Sequence, residues 1–178
     1  MSASPDAHAY FTAHSQADGI YLLVNCIAGP AAQHIVEWLT DMGKCTKPYS
    51  IPLRSGHFLE NLAVRRAALI LGMSPYVAHF TKKFCDHLLT GTASYDEIAM
   101  IGNLTTDDDP LFNCLIKNLA HLRAWNGIED FVQFEKFLSS HPELAAAIAY
   151  MEGRLVVSCE GCRKRTPLKL RRKANEMY

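Results

Sequence analysis

The sequence predicts a mainly α fold of about seven helices packed as sequential antiparallel pairs, with at most one or two short strands near residues 19–28 and 49–53. Three observations carry this reading. Helix start and stop signals recur along the chain, apolar residues between them fall at three- and four-residue spacing, and the intervening loops are short. With 49% hydrophobic and 20% charged residues, the 178-residue chain has enough apolar side chains to bury a core.

Residues 1–18 are rich in Ala, Ser and His without a period and read as a flexible arm. The stretch from Gly19 to Ile27 is short and β-rich and is closed by Gly29-Pro30, which makes it the best strand candidate. Pro30 suits a first helical residue. Ile35, Val36, Trp38 and Leu39 then give an apolar face before Gly43 stops the helix. Residues 44–55, with Pro48 and Pro52, form a connecting loop that is extended at Tyr49 to Leu53. A helix from about Phe58 to Leu71 ends at Gly72, and Ser74-Pro75 opens the next, which runs to about Leu89.

Ser94-Tyr95-Asp96-Glu97 is a capping box for a helix through about Leu104. Asp109-Pro110 starts another, with Leu111, Phe112, Leu115, Leu119 and Leu122 as its buried stripe, ending near Trp125 before Asn126-Gly127. A shorter helix covers about Glu129 to Leu138. His141-Pro142 opens an alanine-rich last one around Leu144 to Ala149. Residues 19–155 are expected to form one helical domain, followed by a basic tail at 156–178.

The formal net charge is zero, but it is unevenly distributed. Residues 1–162 hold 11 basic against 17 acidic side chains, a net −6, and residues 163–178 carry +6. Seven of the 18 basic residues, Arg163, Lys164, Arg165, Lys169, Arg171, Arg172 and Lys173, lie in that last stretch. Such a tail suits a nuclear localisation signal or a phosphate-contacting arm, and it has no aromatic residue among the basic ones for base stacking. No apolar run reaches the length of a membrane span, and Met1-Ser-Ala-Ser-Pro-Asp6 lacks the basic start and hydrophobic stretch of a signal peptide. A soluble intracellular protein is expected, with the nucleus favoured over the cytoplasm. Its six cysteines are expected to be reduced.

Motifs for chemistry are sparse. The sequence has no glycine-rich phosphate loop, no dinucleotide fingerprint, no Gly-x-Ser-x-Gly elbow and no His-Glu-x-x-His helix. His79, Cys85 and His87 are the nearest approach to a cluster. Positions 79 and 87 lie about 80° apart and two turns along a helix, beyond the reach of one metal without outside ligands. Asp107-Asp108-Asp109 precedes Pro110 and reads as an N-cap with favourable charge. Cys159-Glu-Gly-Cys162 has the spacing of half a zinc site; two further ligands would have to come from elsewhere, so no cofactor is assigned.

A family resemblance rests on Ile35-Val-Glu-Trp-Leu39, Tyr49-Ser-Ile-Pro-Leu53, Leu62-Ala-Val-Arg-Arg-Ala-Ala-Leu-Ile-Leu-Gly-Met73, Tyr76-Val77, His79-Phe80 and Phe84-Cys-Asp-His-Leu88. These segments resemble the C-terminal half of a BTB/POZ domain or of the related Skp-type ubiquitin-ligase adaptors. The continuation, Ser94-Tyr-Asp-Glu-Ile98, Asp109-Pro-Leu-Phe112, Asn118-Leu-Ala-His-Leu122 and Pro142-Glu-Leu-Ala-Ala-Ala147, is similar to a group of fungal BTB-related proteins. A full BTB domain begins with strands and an F-x-x-H-x-x-x-L segment, and residues 1–29 lack that motif. The resemblance therefore implies a truncated or divergent BTB-like hairpin followed by BACK-like helices, without the swapped dimer.

Function follows as an expectation: a non-enzymatic adaptor or scaffold that binds another protein through surfaces that include Trp38, Tyr49, Tyr76 and Trp125. The alternative is a nucleic-acid or chromatin-associated factor that uses the basic tail, with or without zinc at Cys159 and Cys162.

Overall fold

The computed structural model describes residues 4–19, 26–90 and 93–163, with side chains given as far as residue 155. Among the described residues there are eight helices and no strand: α1 Pro5–Ala13, α2 Gly29–Met42, α3 Phe58–Ile70, α4 Ser74–Leu89, α5 Tyr95–Leu104, α6 Pro110–Ala124, α7 Phe131–Ser139 and α8 Pro142–Arg163. The mainly α expectation holds. The strand expected near 19–28 lies mostly outside the described residues. At 49–53 the chain pairs with no strand; Ile51, fully buried, instead donates its N–H to the Tyr76 carbonyl at 3.1 Å.

The chain divides into two compact units, Met1–Leu115 and Ile116–Tyr178, with the boundary inside α6. In the first unit α3 packs against α2 and α4, its neighbours in sequence, and also against α5. Its Ala67 and Ala68, at most 1% exposed, let other helices approach closely, and Leu62 and Val64 fill the space around them. Phe80, Phe84 and Leu88 recur every four residues on α4, which puts them on one buried stripe. Truncating Phe80 would cost about 3–5 kcal/mol. In the second unit α7 packs on α8, burying Phe134 and Leu138 with Leu144 and Ile148.

The helix ends follow the local chemistry of the sequence. Ser94 and Glu97 form the reciprocal capping box of α5. α3 ends in a Schellman motif: Gly72 takes φ +69°, its N–H reaches Leu69 O, and the Met73 N–H reaches Ala68 O. α6 ends in the same way with Asn126 at φ 52°, and the Gly127 N–H bonds Leu122 O at 2.7 Å. Two ends differ from expectation. α8 runs on to Arg163 because nothing between Ala149 and Arg163 breaks a helix except two tolerated glycines. In the segment expected as a loose arm, Ser4-Pro5-Asp6 supplies a side-chain cap, a proline in the first turn and an acidic residue, and these start α1.

Candidate functional site

Of the four aromatic residues expected to meet a partner, the structure brings three together. Trp38 on α2 lies 5.0 Å from the Tyr76 ring at the start of α4 and 6.3 Å from the Tyr49 ring of the preceding loop, centroid to centroid. Trp38 is only 3% exposed and belongs to the core, because α2 turns Ala31, Ile35 and Trp38 inward on one face. Its indole N–H has no hydrogen-bond partner among the described residues. Tyr76 is half-buried and Tyr49 is 40% exposed, so Tyr49 presents the outer edge of this cluster. Burial raises the Tyr49 phenol above its usual range, helped by the nearby Cys45 and Asp41.

Trp125 belongs to the second unit. It is 66% exposed at the end of α6, with the His121 ring 6.0 Å away. The same unit leaves Phe131, Val132 and Tyr150 in water, and Arg154 sits 5.9 Å over the Tyr150 ring. Arg123 joins α6 to α7 and α8, with Nη2 2.9 Å from Glu135 Oε1 and Nη1 3.4 Å from Glu152 Oε2.

One buried polar construction went unread in the sequence. Arg65, in the middle of α3 and 4% exposed, donates both terminal nitrogens to the Asp109 carboxylate at 2.8 Å and its Nε to Thr81 Oγ1 at 3.0 Å. Asp109 also caps α6, accepting the Leu111 N–H at 2.8 Å. The capping role was legible, and the ion pair was not. A cleft of about 440 Å³ opens beside them, lined in part by Leu69, Ser74, Val77 and Thr81. Bidentate on Asp109 and bonded to Thr81, the guanidinium spends three of its five N–H donors on contacts within the fold.

The residues of the His79, Cys85 and His87 group have separate partners. His79 packs edge-on against Phe80, His87 lies 3.3 Å from Glu97 and 4.9 Å from the Phe58 ring, and Cys85 hydrogen-bonds Cys114. Burial pushes the Cys85 thiol up to about 12, with the Cys114 bond adding to it and Arg65 opposing. A thiol held protonated at neutral pH is a poor nucleophile. His34, 8% exposed, donates Nε2–H to the Pro52 carbonyl at 3.2 Å, and Asn61 grips the Arg54 backbone through two bonds of 3.0 and 2.7 Å. Both tie the loop after α2 to the helices.

Among the described residues no group of three or more His, Cys, Asp or Glu side chains is arranged to hold a metal, and no helix is long and apolar enough to cross a membrane. Cys159, Cys162 and Arg163 lie on α8 beyond the last described side chain, and Lys164, Arg165, Lys169, Arg171, Arg172 and Lys173 lie outside the described residues. Comparison with protein-family models, with curated proteins and with solved structures yields no match.

Proposed function

We propose that the chain is a non-enzymatic protein–protein interaction module, an adaptor or scaffold of the BTB-related kind that α3 and α4 resemble in sequence. One observation carries the reading. The second unit leaves Trp125, Val132 and Tyr150 exposed by 66%, 81% and 68%, an apolar load in water that a partner surface would cover. The protonated Cys85 supports it from the other side, since a thiol held in that form is a poor nucleophile. Pull-down from a native extract, with wild type and a Trp125→Ala/Tyr150→Ala double variant compared by quantitative mass spectrometry, tests it. A stoichiometric partner depleted about tenfold or more by the double variant is expected, as for loss of an aromatic anchor. Failure to recover a partner, or equal recovery by both chains, counts against the proposal.

A separate observation favours a second reading. The +6 concentrated in residues 163–178 suits a nuclear factor that contacts nucleic-acid phosphates through Arg163, Lys164, Arg165, Lys169, Arg171, Arg172 and Lys173, with zinc at Cys159 and Cys162 as an optional element. Binding to a fluorescent DNA duplex should weaken steeply with salt and vanish when the chain is ended at residue 162. Affinity that survives the truncation sinks this reading.

A further inference from the structure

We propose that Ser4 is a phosphorylation site, modified by a proline-directed kinase, and that the phosphate undocks α1 from the corner between α3 and α4. The inference stands apart from the interaction reading, since it rests on how α1 is held. No residue of α1 is buried. The helix is instead fastened by polar contacts at its N-terminal end. Ser4 Oγ–H donates to the Leu71 carbonyl at the end of α3, while the same oxygen accepts the Ala7 N–H at 3.1 Å as the α1 cap. Asp6 lies directly against Gly72, where a Cβ would come within 2.9 Å of Asp6 Cγ and closer still to its Oδ2. The glycine that the α3 Schellman motif requires thus also makes room for the Asp6 carboxylate.

The substrate chemistry is local. Ser4 precedes Pro5, whose missing N–H suits a kinase cleft that offers no acceptor at that position. Ser4 already has an extended backbone, φ −128° and ψ 107°, the conformation that a residue before proline prefers. α1 has nine residues and no buried side chain, below the length at which an isolated helix holds in water, so it opens readily for a kinase. The sequence holds two other Ser/Thr-Pro steps, Ser74-Pro75 and Thr166-Pro167. Ser74 opens α4 between the buried Met73 and Val77, so extending that segment would disturb the core.

In the transfer, Ser4 Oγ attacks the γ-phosphorus of a nucleoside triphosphate. The new O–P bond forms as the bond to the β–γ bridging oxygen breaks, the nucleoside diphosphate leaves, and the hydroxyl proton passes to the kinase base. The product has no hydrogen on Oγ to give to Leu71 O. It places a charge of about −1.5 to −2 beside that carbonyl and the Asp6 carboxylate. The same charge favours the N-terminus of α1 itself, so the helix persists but leaves the corner.

The full chain, ¹⁵N-labelled and treated with a proline-directed kinase and ATP, gives the test. Tandem mass spectrometry locates the phosphate and NMR follows the Leu71, Gly72 and Met73 amides. Ser4 should be modified at least about tenfold faster than Ser74, and the three amide resonances should move. Ser4→Asp keeps a capping oxygen but has no donor for Leu71 O, and should move them too. Ser4→Thr keeps both functions and should leave them in place. Phosphate on Ser74 or Thr166 with Ser4 untouched overturns the proposal, as do corner amides that stay put in phosphorylated Ser4 or in Ser4→Asp.

Discussion

Arg65 and Arg123 each tie a helix to two other segments through carboxylate or hydroxyl groups, and their settings differ. The side chains of Arg65 and Asp109 are 5% and 10% exposed, whereas Arg123 is 25% exposed and its partners Glu135 and Glu152 are 39% and 24% exposed. Similar guanidinium–carboxylate distances therefore imply different dependence. A desolvated pair is dear to break because the orphaned charge cannot return to water, while a wet pair only exchanges one partner for another.

The largest effect should come from Asp109→Ala. It strands the buried Arg65 guanidinium and removes the α6 cap, so urea unfolding should show a loss of about 3–5 kcal/mol. Replacing both partners, as Arg65→Met with Asp109→Asn, should recover most of that loss because no unpaired charge remains. A cost below about 1 kcal/mol for the single change would mean that the pair is effectively hydrated and the contrast with Arg123 unreal.

Cys85 reports on the same interior. Although Arg65 favours its thiolate, burial wins and the thiol titrates at about 12. At pH 8 iodoacetamide should alkylate Cys85 about a hundredfold or more slower than the exposed Cys45, measured by mass spectrometry of timed digests. The sign for stability follows. The folded-state value lies above the ordinary 9.0, so the contribution is complete below about pH 9 and is lost as the pH rises towards 12. A smaller effect is expected for Glu97→Ala, which removes half of the α5 capping box and the contact with His87. About 1 kcal/mol in thermal or urea unfolding would fit those losses.

The sequence made legible what is decided within one helical turn. Pro30, Gly72, Ser94, Asp109-Pro110, Asn126-Gly127 and Pro142 mark helix ends within a residue or two because caps act on the nearest backbone groups. Arg65 could not be paired with Asp109 in the same way. They are 44 positions apart, and an arginine inside Leu62–Met73 looks like any solvated helical residue until α6 arrives beside it. Trp38 and Trp125 make the same point for the candidate surface. Both are tryptophans on or beside an amphipathic helix, yet packing against Tyr49 and Tyr76 draws one inward, while the other ends α6 in water. The stop in the alanine-rich last helix was misjudged because alanine count says where a helix is favoured and not where it ends.

The smallest effect should be that of Arg123→Met, which keeps an apolar stem and deletes the charge. Glu135 Oε1 is buried at the atomic level and takes no aligned hydrogen bond even with Arg123 present, but its side chain is 39% exposed overall. A short rotation therefore hydrates the carboxylate once the guanidinium is gone, and Glu152 has similar access. The expected cost is at most about 1 kcal/mol, and 1 M NaCl should shrink it further because exposed charges are screened over a few ångströms at that ionic strength. Arg65→Met should destabilise more, since it leaves Asp109 nearly buried without its bidentate partner, and salt should change that loss little. Equal losses for the two arginine variants, with the same salt dependence, would show that exposure does not set the worth of these pairs.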